Sequence, residues 1–98
     1  MSLQNIEPKK IEYAAEIFKG FGNPIRIRII DALRTKSLRV MELSEMLGFP
    51  QPIISQQLKI LKSAGIVQKV REEGNFCYQL TDKHFSDMIK CMRGCLGL

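Results

Sequence analysis

Apolar residues recur every three to four positions in five segments of the chain, and this period predicts five helices. Asn23 and Pro24 are expected to open the second helix as N-cap and first helical residue, while Gly20 and Gly22 are expected to end the first. Gly48 has the position of a glycine that follows the third helix. The apolar residues of the first predicted helix are Ile11, Ala14, Ala15, Phe18 and Phe21, and those of the last are Phe85, Met88, Ile89, Met92 and Leu96.

The pattern changes at residues 66–70 and 76–80, where β-branched and aromatic residues predict two short strands. Gly74 and Asn75 lie between the two strands and supply the residue types that a tight hairpin turn needs. The stretch at 37–40 is too short for an independent strand and is expected to add at most one edge pairing. The chain is therefore predicted to be mostly α with a small β-hairpin, in the order α-α-α-α-β-β-α.

The third and fourth predicted helices are joined by a tight turn at Phe49 and Pro50, which is the arrangement of a helix-turn-helix. In that motif the second helix enters the DNA major groove with its amino-terminal residues at the base edges. Glutamine side chains can bond bidentately to adenine, and an outward isoleucine can meet a thymine methyl group. The alternative is that these residues are only exposed to solvent. The residues expected to be buried are Ile54, Leu58 and Leu61, and those expected to contact DNA are Gln51, Pro52, Ile53, Ser55, Gln56 and Lys59.

The predicted hairpin follows this helix directly and is expected to lie along the DNA backbone as a wing. Lys69 and Arg71 are its candidates for phosphate contact. Glu72 and Glu73 stand at the tip of the hairpin, where the DNA phosphates would repel them. The wing is therefore expected to contribute less to DNA binding than the helix does.

Composition restricts the class of protein further. With 98 residues the chain is expected to form one domain, residues 1–98, and its net charge of +5 favours a polyanionic partner such as nucleic acid. A solvated surface that is merely basic is the other explanation. No apolar run is long enough for a membrane span, and the first residues lack the apolar core of a signal peptide. Three cysteines without disulfide spacing favour a cytoplasmic protein, and the single histidine and missing phosphate loop argue against an enzyme.

Three segments together resemble the ArsR/SmtB family of winged-helix transcriptional repressors. They are IFKGFGNPIRIRIIDAL, with its Gly-Asn-Pro-x-Arg, then LRVMELSEMLGFPQPIISQQLKILKSAGIV, and then REEGNFCYQL. The resemblance implies a homodimer, formed through the first and last helices, that sits on an operator of inverted-repeat symmetry and represses transcription until an inducer acts. The apolar stripe of the last helix agrees with such an interface, although the helix could instead fold back on its own chain. Pro50 departs from the family, which usually has a Ser or Thr N-cap there.

The same resemblance limits the inducers. Family members that bind arsenic, cadmium or lead carry a Cys-x-Cys where this chain has Arg39-Val40-Met41, so those inducers are rejected. A second family site uses an Asp-x-His at the start of the last helix, which Asp82 and His84 match. The later His and Glu of that site correspond here to Cys95 and Leu98, and Cys91 is a further possible thiolate. Zinc, which takes four such ligands, is the metal cofactor this set would suit, but Asp82 fits equally well as a helix N-cap.

Two other interpretations of the last helix stay open. Cys91 and Cys95 share one helical face, and neighbouring Lys90 and Arg93 would favour their thiolates, so the pair could sense oxidant or reactive sulfur. A bridge between subunits is less strained than one within the helix. Alternatively, the cysteines are inert small residues at an interface. A repressor without any effector site of its own is a further possibility.

One function of a different class competes with DNA binding. A winged helix that has become a protein-interaction module would have an uncharged or acidic outward helix face. The polar face and the basic charge argue against this module, whereas the acidic wing tip favours it.

Overall fold

The computed structural model describes residues 2–98 and contains five helices and a two-stranded antiparallel sheet in the predicted order. The topology is that of a winged helix-turn-helix. The elements are α1 (Pro8–Phe21), α2 (Pro24–Ala32), α3 (Val40–Leu47), α4 (Gln51–Ser63), β1 (Val67–Glu72), β2 (Asn75–Leu80) and α5 (Lys83–Cys95).

Helix α2 lies at the centre of the molecule and packs against each of the other four helices. Its start matches the prediction, because the Asn23 side chain accepts hydrogen bonds from the backbone N–H groups of Ile25 and Arg26, with Pro24 at the first helical position. Every element except β2 contributes a fully or nearly fully buried side chain to one apolar core. Its members are Ile17, Ile29, Ile30, Leu33, Leu38, Leu43, Ile54, Leu58, Leu61, Ile66, Val67, Phe85 and Ile89.

Helix α1 has two apolar sides, and the prediction that Gly20 ends it is wrong. Gly20 lies within the helix and is buried. A Cβ there would stand only 2.4 Å from the Ile66 side chain, so the position has no room for a larger residue. The residue is thus a close-packing position, and Gly22 is the one that follows the helix end. Ile17 and Gly20 face the core. The residues on the other side, exposed to solvent, are Ile11, Ala14, Ala15 and Phe18, which we call the outer stripe of α1.

Helix α3 has a defined start and end. Glu42 reaches back to accept from the backbone N–H of Arg39 at 2.9 Å, and its carboxylate also pairs with the Arg39 side chain at 3.2 Å. Gly48 follows the helix with φ 77°, a left-handed conformation that glycine adopts without strain. The Ser44 hydroxyl then donates to the Phe49 carbonyl at 2.6 Å and closes the turn into α4.

The hairpin pairs Val67 with Leu80 through to Glu72 with Asn75. The single edge pairing expected near residue 38 is present as a bridge between Leu38 and Tyr78. The turn lies one residue earlier than predicted, at Glu73 and Gly74, which both have positive φ. Positive φ at both central residues is the geometry whose twist matches a two-residue hairpin.

Helix α5 folds back on its own chain for most of its length. Phe85 and Ile89 are buried against α2 and the rest of the core, and Met88 and Met92 are half-buried there. Only Leu96, beyond the helix end, is strongly exposed among the residues of the predicted stripe, at 67%. The burial that this stripe requires therefore comes largely from the same chain. None of the helices within residues 2–98 is long and apolar enough to cross a membrane.

Candidate nucleic-acid interface

The outward face of α4 carries most of the residues predicted to contact DNA. Ile54, Leu58 and Leu61 are completely buried, as predicted, and fix which side of the helix meets the core. Pro52, Gln56 and Lys59 follow one another at spacings of four and three residues, so they form one exposed row on the opposite side. The helix thus presents a ring, an amide and an ammonium group in line towards solvent.

The remaining predicted contacts of α4 flank this row unequally. Gln51, the first helical residue, and Ser55 are exposed. Ile53, which the sequence predicts to point outward, is half-buried, so only part of its side chain can reach a ligand. Within residues 2–98 the side chains of Gln51, Ser55 and Gln56 make no hydrogen bond, and their donors and acceptors are free for one.

Gln57 differs from its polar neighbours. Its side chain is half-buried, and its amide oxygen accepts a hydrogen bond of 2.9 Å from the guanidinium group of Arg26. The four polar residues at the front of α4 therefore divide into three that face solvent and one that joins α4 to α2.

Helix α4 begins without a side-chain cap. Pro50 occupies the N-cap position, and its carbonyl accepts from the backbone N–H groups of Ile53 and Ile54. Pro52 lies in the first turn, where a missing N–H costs nothing. Since Pro50 and Pro52 have no N–H and that of Ile53 is bonded, the Gln51 backbone N–H is the first-turn donor left for an outside acceptor such as a phosphate.

The outer side of the hairpin bears a second group of cations around an aromatic ring. Lys69 and Arg71 alternate along β1, and Phe76 lies opposite Arg71 on β2, so all three side chains share one side. The Lys69 ammonium nitrogen lies 4.3 Å from the centre of the Phe76 ring and the Arg71 guanidinium carbon 5.2 Å from it. Phe76 is 52% exposed, which is unusual for a phenylalanine that serves only the core.

The sequence does not indicate Phe76 as a candidate for the interface. The composition of residues 76–80 predicts a strand, but it does not say which of the five side chains point outward. Strand alternation becomes informative only once the structure shows that Cys77 is buried, because its neighbour Phe76 must then face the other side. Glu72 and Glu73 are exposed at the tip, as expected, next to these cations.

The candidate effector residues at the start of α5 bind each other. Asp82 is the N-cap of the helix, and its carboxylate accepts from the backbone N–H of His84 at 2.8 Å and also contacts the His84 ring nitrogen Nδ1. The backbone bond from His84, with help from the ring, lowers the pKa of the Asp82 carboxyl below its ordinary value of 3.8. The N-cap interpretation of Asp82 is therefore confirmed.

The two exposed cysteines lie in a different part of α5. Cys91 is seven residues beyond His84, which is a rise of about 10 Å along a helix. One ion cannot bridge that distance, and no three His, Cys, Asp or Glu side chains within residues 2–98 are grouped so as to hold a metal. The donors of one chain thus fall short of the four ligands that zinc takes. Cys77, in contrast, is buried in the hairpin.

Comparison with known proteins shows which family the helix-turn-helix and the hairpin belong to. A family model for bacterial regulatory proteins of the arsR family matches residues 23–69, from the cap of α2 into β1. A helix-turn-helix transcriptional regulator of Methanocaldococcus jannaschii is 47% identical over 85 residues, which are 84% of this chain and 93% of that protein. The chain belongs to the arsR family. It is a winged-helix transcriptional regulator of that family, and the matched residues include the whole helix-turn-helix.

Two further relatives of this arsR-family chain are repressors. The transcriptional repressor SmtB of Mycobacterium tuberculosis is 39% identical over 83 residues; these are 84% of this chain, which spans 62% of the length of SmtB. The crystal structure of the repressor BigR from Xylella fastidiosa superposes with a TM-score of 0.83 at 27% identity and covers 97% of this chain and 96% of that one. The fold, including the wing, is thus shared over nearly the full chain.

Proposed function

We propose that this arsR-family regulator binds double-stranded DNA through α4 and the hairpin and represses transcription from the operator it occupies. The observation that carries the proposal is the exposed row on α4, whose polar groups have no partner within residues 2–98 and stand opposite a fully buried side. A helix held from behind in this way can enter a major groove without rearrangement.

The proposed roles follow from the chemistry of the exposed groups. The amides of Gln51 and Gln56 suit adenine, which offers an acceptor and a donor side by side, and the Ser55 hydroxyl suits either a base or a phosphate. The exposed part of Ile53 suits a thymine methyl group, and Pro52 packs against the groove wall. Lys59, Lys69 and Arg71 then neutralise phosphates. The proposed contacts are therefore Gln51, Pro52, Ile53, Ser55, Gln56, Lys59, Lys69 and Arg71.

We further propose that the acting form is a homodimer on an operator with inverted-repeat symmetry. The outer stripe of α1 has apolar residues at i, i+3, i+4 and i+7, the spacing that packs against another helix. Phe18 in this stripe is 67% exposed in the single chain. The end of α5, with Cys91, Cys95 and Leu96 exposed, would complete the interface. Burial of the outer stripe and Leu96 by a second copy, with Cys91 and Cys95 at the rim, supplies the stability that a domain of this size gains from oligomerising.

The inducer proposed here acts on the thiols of α5. Cys91 and Cys95 are exposed in the chain, whereas Asp82 and His84 already bind each other. Oxidation would join a cysteine of one protomer to one of its partner, with two protons and two electrons passing to a peroxide that becomes water. Zinc shared between two copies, through Asp82, His84 and Cys95, is the competing inducer. As a DNA-binding regulator without catalytic function, the protein would act in the cytoplasm.

The deciding experiment measures binding of the reduced, chelator-treated protein to the duplex upstream of its own gene and to an unrelated duplex at physiological salt. We expect a preference of at least about 10³-fold. Lys69→Ala should lower the affinity for both duplexes alike and reduce the slope of log affinity against log salt concentration by about one. Lys90→Ala, a matched change on α5, should leave the affinity for both duplexes and the salt slope unchanged. Equal affinity for all duplexes, or insensitivity to Lys69, would contradict the proposed docking and favour a protein-binding module.

The same binding assay separates the inducers. Peroxide added to the reduced protein should release the operator duplex, and reducing agent should restore binding. A Cys91→Ser, Cys95→Ser variant should bind but no longer respond. Release of the parent chain by zinc but not by peroxide would instead support a metal as inducer, and no response of the parent chain to either agent would support a repressor without an effector of its own.

A further inference from the structure

The guanidinium group of Arg26 joins three elements of the fold. Its Nε donates to the Gly20 carbonyl at 2.9 Å and one terminal nitrogen donates to the Lys19 carbonyl at 3.1 Å. The other terminal nitrogen donates to the Gln57 amide oxygen at 2.9 Å. Arg26 of α2 is thus bonded to the last turn of α1 and to the middle of α4 at the same time.

The local sequence explains this position. Asn23 and Pro24 start α2, which places Arg26 in its first turn, close to where α1 ends. The last carbonyls of a helix have no partner within the helix, so they are acceptors for a nearby cation. The planar fork of arginine can serve two such carbonyls and still donate outward, which the single ammonium point of lysine cannot do.

The bond to Gln57 is exceptional for α4. Within residues 2–98 it is the one side-chain hydrogen bond that links a residue of α4 to another element. Otherwise α4 is held by apolar side chains such as Ile54, Leu58 and Leu61. Apolar burial is not directional, and it permits small rotations and shifts of a helix that a hydrogen bond of defined geometry does not.

We infer that Arg26 is a positioning residue for DNA recognition, which acts through Gln57 and touches no DNA itself. Gln57 is adjacent to Gln56, so a bond that fixes Gln57 also fixes the direction of the exposed row. Base contacts tolerate displacements of only about 0.5 Å. Loss of the bond therefore costs discrimination between sequences, while phosphate contacts by flexible lysines are kept. The inference rests on the function proposed above and adds to it a residue outside the DNA-facing surface.

The test compares Gln57→Met with the parent chain. Methionine has a similar length and no acceptor of this strength, and it leaves the two bonds from Arg26 to α1 in place. The probes are a duplex selected from a random-sequence library with the parent chain and an unrelated duplex. We expect Gln57→Met to lower the preference for the selected duplex by about three- to tenfold, the effect of one hydrogen bond. Affinity for the unrelated duplex, the salt slope and the thermal midpoint should change little.

Three further variants exclude a direct or merely structural role. Gln57→Glu, whose carboxylate still accepts from Arg26, should keep the preference for the selected duplex, although its negative charge lowers the affinity for both duplexes. Arg26→Lys should lower the preference as Gln57→Met does, and the double variant should lose no more than either single one. Gln4→Met is the matched control on an exposed glutamine and should behave as the parent.

Several results would overturn the inference. An unchanged preference for the selected duplex in Gln57→Met is one such result. Another is a loss of preference in Gln57→Met that Arg26→Lys does not reproduce, because Gln57 would then contact DNA itself. If Arg26→Lys unfolds, Gln57→Met and Gln57→Glu carry the test alone. A parent chain without preference for any duplex removes the proposed function, and this inference falls with it.

Discussion

The ammonium nitrogen of Lys69 lies 4.3 Å from the centre of the Phe76 ring, so a cation of β1 rests on an exposed aromatic residue of β2. The ring restricts where Lys69 and its neighbour Arg71 can move and holds both charges on one side of the hairpin. A cation–π contact at an exposed site is worth about 0.5–1 kcal/mol.

Replacing Phe76 should therefore weaken DNA binding without altering the charge of the hairpin. We expect Phe76→Leu to reduce affinity for specific and unrelated duplexes alike, by about two- to fivefold, because the cations are no longer held in place. The slope of affinity against salt should stay the same, since both cations remain. Phe76→Tyr, which keeps the ring, is the control. Unchanged affinity in Phe76→Leu would mean that the hairpin does not approach the DNA through this side.

Gln51 tests base recognition by α4. Its amide is exposed at the first helical residue and bonded to nothing within the part of the chain that the structure describes. If it reads a base, Gln51→Ala should cost about 1–3 kcal/mol of binding free energy and relax the preference at one base pair per half-site. Selection of duplexes with parent and variant measures this preference. A variant that loses affinity uniformly at all positions would assign Gln51 to the backbone instead.

Gly20 tests the contact between α1 and the segment after α4. A methyl group at this position would meet the buried side chain of Ile66, and Ala64 lies 3.5 Å away, so the side chain must move. Gly20→Ala should lower the free energy of unfolding, because overpacking costs about 1–3 kcal/mol and exceeds the gain in helix propensity of up to about 1 kcal/mol. Gly94→Ala is the matched control in α5, where nothing lies within 4 Å of the new methyl group. There the gain in helix propensity should stabilise by up to about 1 kcal/mol. Urea unfolding of the two variants should thus show opposite signs.

Acid should destabilise the fold through two carboxylates, that of the half-buried Glu42 and that of the exposed Asp82. Hydrogen bonds from Arg39 lower the pKa of Glu42 below 4.5, and those from His84 lower the pKa of Asp82 below 3.8. The unfolded chain therefore takes up protons first as the pH falls. The stability that these groups contribute is full above their ordinary pKa values and is lost as the pH falls through the lowered pKa values of the folded chain. Glu42→Gln should reduce the difference between the free energies of unfolding measured at neutral pH and at about pH 3. An unchanged pH profile in this variant would exclude Glu42 as a contributor.

The sequence predicts the order of elements and the interior of α4 because both depend on short-range periodicity. Ile54, Leu58 and Leu61 recur at helical spacing, and so their burial follows from the pattern alone. The interactions that the sequence does not predict join residues that are distant in the chain. Arg26 and Gln57 are 31 residues apart, and no local rule pairs them. Gly20 likewise has the pattern of a helix end until Ile66 is placed against it.

The extent of burial of α5 and the position of the turn could not be predicted for other reasons. An apolar stripe such as that of Phe85 and Ile89 fits an interface between copies as well as the core of one chain, and periodicity does not distinguish the two. The turn shift at Glu73 arises because strand pairing continues to Asn75 and so requires a non-glycine residue at positive φ. The register of strand pairing determines the position of the turn, and register is a property of the whole hairpin.

Through the outer stripe of α1, the stability of the proposed dimer would depend on the concentration of the chain in the cell. In the proposed dimer, two copies cover each other's Ile11 and Phe18, so dilution shifts the population towards chains in which water covers these residues. Such chains unfold more readily and are the ones that proteases remove first. A cell with few copies would lose them faster than a cell with many, and the regulator would accumulate abruptly once its synthesis exceeds a threshold.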